Sequence, residues 1–323
     1  QPSPRGRGLG RRSPTAEPAE VRPASPDPAV TDLRDVGHAD VVRLFVERAG
    51  AVQPDFAPAG DEVLPVAELC RRLDGLPLAI ELAAARVERF PPSALLARLE
   101  PYLAAAPEPP APAPPTRPVD GARSLPVETQ TQRDATLRGA IAWAYDLLDA
   151  AEQTLLCRLA VFAGGGTSRA AAAVCGAADD LAIDLSAVLR SLVAAGLLRR
   201  EESDGDSRFA MLEPILAYGQ ERLAAGGEAE ALQRRHAAYF MALAEQARPE
   251  IEGPDPGPWL ERLRRERDNL RAALRWCVEH GQIEWSVRLA RALGVYWTTQ
   301  GRWAEARDWL AKTLTLAEAP PQT

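Results

Sequence analysis

Few residues of this 323-residue chain stand in patterns that could do chemistry. The nearest approach to a phosphate cradle is Gly164-Gly165-Gly166-Thr167. A phosphate loop of the form G-x-x-x-x-G-K-[ST] needs a lysine beside its backbone N–H groups. The only lysine here is Lys312, near the C-terminus, so the glycine run reads as a turn, with Thr167 as N-cap of a helix through Ala170 to Cys175. No run of buried strands ends in the paired acidic residues that would hold Mg²⁺. Cys70, Cys157, Cys175 and Cys277 are widely spaced and form no C-x-x-C pair, and His38, His236 and His280 show no metal-ligand spacing. Buried thiols are expected, and neither a metal site nor a catalytic residue.

The most informative spacing is Asp74-Gly75-Leu76-Pro77-Leu78-Ala79. Before it, Val63, Val66, Leu69, Cys70 and Leu73 recur at helical spacing. Gly75 suits the position just past that helix, where φ is positive, and Pro77 suits the first turn of the next. A tight corner between two helices follows. The second helix, Leu78 to Arg86, is rich in alanine, a strong helix former small enough to permit close packing.

Composition sets the outer bounds. A net charge of −7 gives no global electrostatic reason to bind nucleic acid. The hydrophobic fraction of 46% suffices for the cores of two or three domains. No apolar run reaches the roughly 20 residues that a membrane-spanning helix needs, and a cytoplasmic protein without a membrane partner is expected.

Several ordered segments together resemble one family. They are Val42 to Ala49, the GLPL corner with its helix to Arg86, Thr136-Leu137-Arg138 through Trp143 to Leu148, Leu159 to Gly165, Arg208 to Glu213, and Asp268 to Leu274. The chain resembles the STAND-class (NB-ARC-like) ATPase regulators, most closely the large actinobacterial proteins associated with LuxR- and SARP-type regulators. The resemblance covers roughly Val41 to Ala319. It implies a nucleotide-switched signalling or transcriptional regulator in which Gly75, Leu76, Pro77 and Leu78 lie near an adenine through backbone and apolar contacts. ATP or ADP is implied for the full-length parent and no cofactor for this chain alone, since the P-loop is missing. On that footing, and with Gln1 as first residue, the chain reads as the C-terminal portion of a longer protein or as a truncated gene model. Many relatives carry Met-His-Asp where this chain has Met211-Leu212-Glu213. Leucine cannot donate a hydrogen bond to phosphate, so the histidine's role is not carried over, and Glu213 is expected to open a helix.

The expected fold class is mostly α, without a P-loop α/β domain. Residues 1–36 form a disordered tail, 37–103 a helical GLPL subdomain, 104–134 a proline-rich linker, 135–226 a winged helix with a small β-hairpin, 227–252 a connecting helix and 253–320 tetratricopeptide-like repeats. In the winged helix, short strands flank the turn Ser203-Asp204-Gly205-Asp206. Between Leu181 and Gly196 the only charged residues are Asp184 and Arg190. A groove-reading helix needs groups that neutralise phosphate and contact bases, so DNA binding by this chain is expected to be absent. The expected partners are the parent's P-loop domain and a protein bound through the repeats. In the repeats, Ala272 and Ala306 let helices approach while Trp276, Trp297 and Leu310 fill between them, and Gly301 closes the last hairpin. Two alternatives stay open: a stand-alone helical protein-binding adaptor and a winged-helix DNA-binding transcription factor.

Overall fold

The computed structural model describes residues 36–104, 127–176, 184–203 and 206–318. Residues 1–35 of the expected tail and most of the linker expected over 104–134 lie outside these residues. The described chain is mostly helical, with one small antiparallel sheet. Helices α1 (Val36–Val52), α2 (Val63–Arg72), α3 (Pro77–Ala84) and α4 (Pro92–Ala104) make the first unit. Its interior is Phe45 and Ala49 of α1, Val66, Leu69 and Cys70 of α2, and Leu95 and Leu99 of α4, closed around α3. Helix α3 is central because Ala79, Ala83 and Ala84 are fully buried and keep its girth small. It ends at Ala84, two residues short of the expected Arg86. Turns hydrogen-bonded from Arg89 N and Phe90 N to Arg86 O, both 3.0 Å, take over.

Helix α5 (Val127–Asp146) begins eight residues before the expected start at Ala135. It serves two units at once, packing on α3 and α4 on one side and on α9 (Glu213–Ala225) on the other. The winged-helix elements follow in order: α6 (Ala150–Leu159), β1 (Gly166–Thr167), α7 (Ser168–Cys175), α8 (Leu185–Ala194), β2 (Arg199–Ser203) and β3 (Asp206–Ala210). The sheet order is β1-β3-β2, with Gly166 opposite Phe209, Thr167 opposite Arg208 and Glu201 opposite Arg208. Alternation along β3 sends Phe209 into the core and Arg208 to the other face of the sheet.

Helix α10 (Ala229–Ile251) joins the winged helix to the C-terminal hairpins. It packs on α7, α12 (Arg267–Glu279) and α13 (Ile283–Thr299). Helix α11 (Gly257–Arg265) precedes α12, and α14 (Trp303–Glu318) packs on α13. Gly301 takes φ 65° between α13 and α14, as a left-handed helix stop requires. Trp276 and Trp297 are buried and Ala306 packs against the core. Leu310 departs from expectation, being 46% exposed. The interior position belongs to its neighbour Trp309, because the true stripe of α14 is offset by one residue.

Candidate nucleic-acid interface

Helices α6, α7 and α8 of the winged unit are each started by a side-chain cap. Asp149 and Glu152 form a reciprocal capping box at α6, with Glu152 N to Asp149 Oδ1 at 2.8 Å and Asp149 N to Glu152 Oε2 at 2.9 Å. Thr167 accepts from Ala170 N at the start of α7, as its sequence position implied. Asp184 accepts from Ser186 N and Ala187 N at the start of α8. Val188, Leu189 and Leu192 fix the inner face of α8 by burial. The outer face carries Ser186, Ala187, Arg190, Ser191 and Ala194, all exposed. Ser191 is held by a short hydrogen bond to Glu152 Oε1.

The chemistry of that outer face suits base edges. A serine hydroxyl can donate or accept, an alanine methyl can meet a thymine methyl, and an arginine can reach a guanine through two donors. Beyond Gly196 the chain enters β2 through Arg199 and Arg200, both exposed. Arg200 is engaged by Glu202 at 2.7 Å and by Ser207 Oγ at 3.1 Å. Arg190 and Arg199 have no ion-pair partner among the described residues.

Residues 148–224, which hold α6, β1, α7, α8, β2, β3 and most of α9, match the winged helix-turn-helix domain family. The unit is a winged helix-turn-helix domain. The chain is also homologous to a protein of Mycobacterium tuberculosis strain H37Rv provisionally named an HTH-type transcriptional regulator, at 33% identity over 305 residues. That match takes in 94% of this chain and 31% of the relative, and an equivalent protein of Mycobacterium bovis matches equally. An uncharacterised protein of M. tuberculosis is 37% identical over 199 residues, covering 61% of this chain and 46% of its own length. The chain thus spans less than half the length of these curated relatives. The match to helix-turn-helix domains and regulators overturns the expectation that DNA binding is absent. The physical reason is that the cationic groups of the unit are not confined to Leu181–Gly196: the arginines of the wing's first strand begin three residues later.

The GLPL corner lies elsewhere. Asp74 has φ 51° and Gly75 φ 63°, so two successive left-handed residues make the turn before Leu76. A Cβ at Gly75 would approach Val41 Cγ2 to 3.4 Å. Leu76 and Leu78 are half-buried and Pro77 is exposed as the first residue of α3. The corner is tied to α5 by Thr136 Oγ1 donating to Asp74 Oδ2 at 3.0 Å, and the far end of α3 by Arg86 Nη2 donating to Ala144 O at 3.1 Å. A cleft of about 320 Å³ in the same unit is lined by Phe56, Glu62, Arg89 and Phe90 among others, and none of Gly75 to Leu78 contributes to it.

At Met211-Leu212-Glu213 the structure has a strand-to-helix junction. Leu212 is the N-cap residue of α9 and packs against the core, and Glu213 opens the helix. All four cysteines are buried and free. Burial pushes the thiols of Cys70 and Cys175 up to about 12 and that of Cys277 to about 11, so they stay protonated and inert near neutral pH. Among the described residues, no cluster of His, Cys, Asp or Glu could hold a metal ion, and no helix is long and apolar enough to cross a membrane.

Proposed function

We propose that this chain is the regulatory segment of a transcriptional regulator and that its winged helix docks on DNA, with α8 in the major groove. The supporting observation is the open face of α8, Ser186, Ala187 and Arg190, followed in sequence by the exposed Arg199 of the wing and built on a winged helix-turn-helix frame. Arg190 supplies the base contact and Arg199 a phosphate contact. The acidic wing residues Glu201 and Glu202, both exposed, keep the rest of the hairpin away from the backbone.

Anisotropy titrations of the full chain on duplexes enriched by selection test this reading. Each phosphate contact contributes a slope of about −0.9 to log K against log salt. Arg199→Ala should therefore flatten the slope by about one unit, and Arg190→Ala should cost roughly 1–3 kcal/mol and relax preference at one base. An unselective wild-type chain, or substitutions without effect on either quantity, would overturn it.

A second reading concerns the parent protein and rests on the GLPL corner. We infer a nucleotide-switched parent of the STAND type, in which a P-loop domain of the parent, outside this chain, holds ATP or ADP and Gly75, Leu76, Pro77 and Leu78 contact the adenine. The favouring observation is that this corner is bonded to α5 through Asp74 and Thr136, so a ligand at the corner would bear on the helix that also packs against α9. In this reading the chain itself is not an enzyme, and the C-terminal hairpins bind a protein partner.

A further inference from the structure

Three sequence segments left without a role by the DNA contact meet at one buried place. They are Ala163-Gly164-Gly165 before β1, Arg208 of β3, and Glu266 to Asn269 at the start of α12. Asn269 is fully buried, and Glu266 is 4% exposed. Asn269 Nδ2 donates to Gly165 O at 2.8 Å and to Glu266 Oε2 at 2.7 Å. Its Oδ1 accepts from Ala163 N at 2.8 Å and lies 3.1 Å from His236 Nε2. Because Oδ1 can only accept, a proton sits on His236 Nε2, and burial favours the neutral ring. Arg208 Nη1 donates to Glu266 Oε1 at 2.6 Å, and its Nη2 donates to Gly164 O at 3.0 Å and Gly165 O at 2.9 Å.

Asn269 thus ties the turn before β1 to α12 and, through His236, to α10, while its remaining bond holds Glu266 in place. Glu266 does the same for the outward face of β3, through the one strand that hydrogen-bonds to both others. We propose that Glu266 and Asn269 are positioning residues for the DNA contact, through which the C-terminal helices set the orientation of the wing. The DNA target of this positioning rests on the reading above, whereas the hold on the wing does not.

Hydrogen exchange of the full chain tests the hold directly. Asn269→Leu removes all four partners at once, and Glu266→Gln keeps the shape while removing the charge, so a folded variant is secured. Amides at 163–167 and 206–210 should exchange roughly tenfold faster in both variants, the change expected when buried partners are lost, with α3 amides at 79–84 unaffected. Equal acceleration in α3 would mean general destabilisation and would overturn the proposal, as would unchanged exchange at 163–167.

In DNA titrations Glu266→Gln should lower affinity severalfold while leaving the salt slope unchanged, because no phosphate contact is lost. A flattened slope would make Glu266's partner Arg208 a phosphate contact and defeat the positioning role. No DNA binding by the wild type would remove the DNA target, and the exchange result would still decide whether α12 holds the wing.

Discussion

Gly164 and Gly165 both have left-handed backbones, at φ 77° and 81°, yet they should respond very differently to the same methyl group. A Cβ on Gly164 would come no closer than 3.6 Å to Asp268 Oδ2, an ordinary contact with the end of a side chain. Only the conformational penalty applies there, about 1–2 kcal/mol for a residue with Cβ. On Gly165 the Cβ would lie 2.4 Å from Phe209 O and 2.9 Å from Ala210 Cβ, against the backbone of β3. Relieving that overlap means moving β3 away by most of an ångström, which would strain the Gly166–Phe209 pairing and the Asn269–Gly165 bond together. Overpacking of this kind adds roughly 1–3 kcal/mol. Gly165→Ala should therefore destabilise the chain by about 2–5 kcal/mol and Gly164→Ala by about 1–2 kcal/mol. Urea unfolding followed by circular dichroism, compared at equal m-value, reads the difference. Equal midpoints for the two variants would refute the close approach of β3 to this turn.

His236 is buried beside Phe162 and Phe240, and burial lowers its pKa from 6.5 to about 4, against a smaller opposing effect of the Asn269 hydrogen bond. Its neutral form is the folded one, so stability is full above pH 6.5 and is lost as pH falls toward 4. Between pH 7 and 5 the loss should be about 2 kcal/mol, and His236→Gln should flatten this part of the pH–stability curve; an unchanged slope would refute the assignment. Ala306→Phe should wedge α14 from its neighbours and cost roughly 1–3 kcal/mol in thermal unfolding, and an unshifted melting temperature would remove the close packing of that hairpin. Because the GLPL corner supplies only apolar and backbone contacts, calorimetry should find ATP bound no tighter than about millimolar, worth ~4 kcal/mol, and micromolar binding would overturn that inference.

How legible the fold was depended on the strength of each local signal. The α2–α3 corner was readable because Val66, Leu69, Cys70 and Leu73 keep strict helical spacing and Gly75 and Pro77 punctuate it. The wing's hairpin was readable from its polar, glycine-containing turn. Strand β1 was not, since two residues carry no alternation, and it exists only because β3 offers a free edge. The first turns of α5, Val127 to Asp134, are polar and show no apolar stripe, so the helix start was placed too late. Trp309 and Leu310 are adjacent apolar residues, and only packing against α13 decides which turns inward. The surface proposed to face DNA gave no single local signal, because it combines residues of α8 and β2. The polar node around Asn269 joins residues about a hundred positions apart, and no spacing rule reports such a meeting.

The interior runs as one continuous apolar body through all units, from Phe45 to Trp309. Apolar contact is not directional, so it cannot by itself select one angle between units. Directional contacts sit at the joints, and beside the Thr136–Asp74 bond and the Asn269 node three of them centre on an arginine. Arg86 reaches from the end of α3 to Ala144 O of α5. Arg158, 2% exposed, reaches from α6 to Glu228 at 2.8 and 2.9 Å, just before α10, and to Cys175 O at the end of α7. Arg208 reaches from β3 to Glu266. Buried ion pairs contribute little net stability relative to apolar replacements, because desolvation offsets most of the attraction. Their contribution here is geometric: a guanidinium with several fixed donors satisfies its partners in one arrangement and loses them when the units rotate. The wing therefore inherits its orientation from α12, and the first unit inherits its place from α5, through contacts that a slide along the apolar core would break.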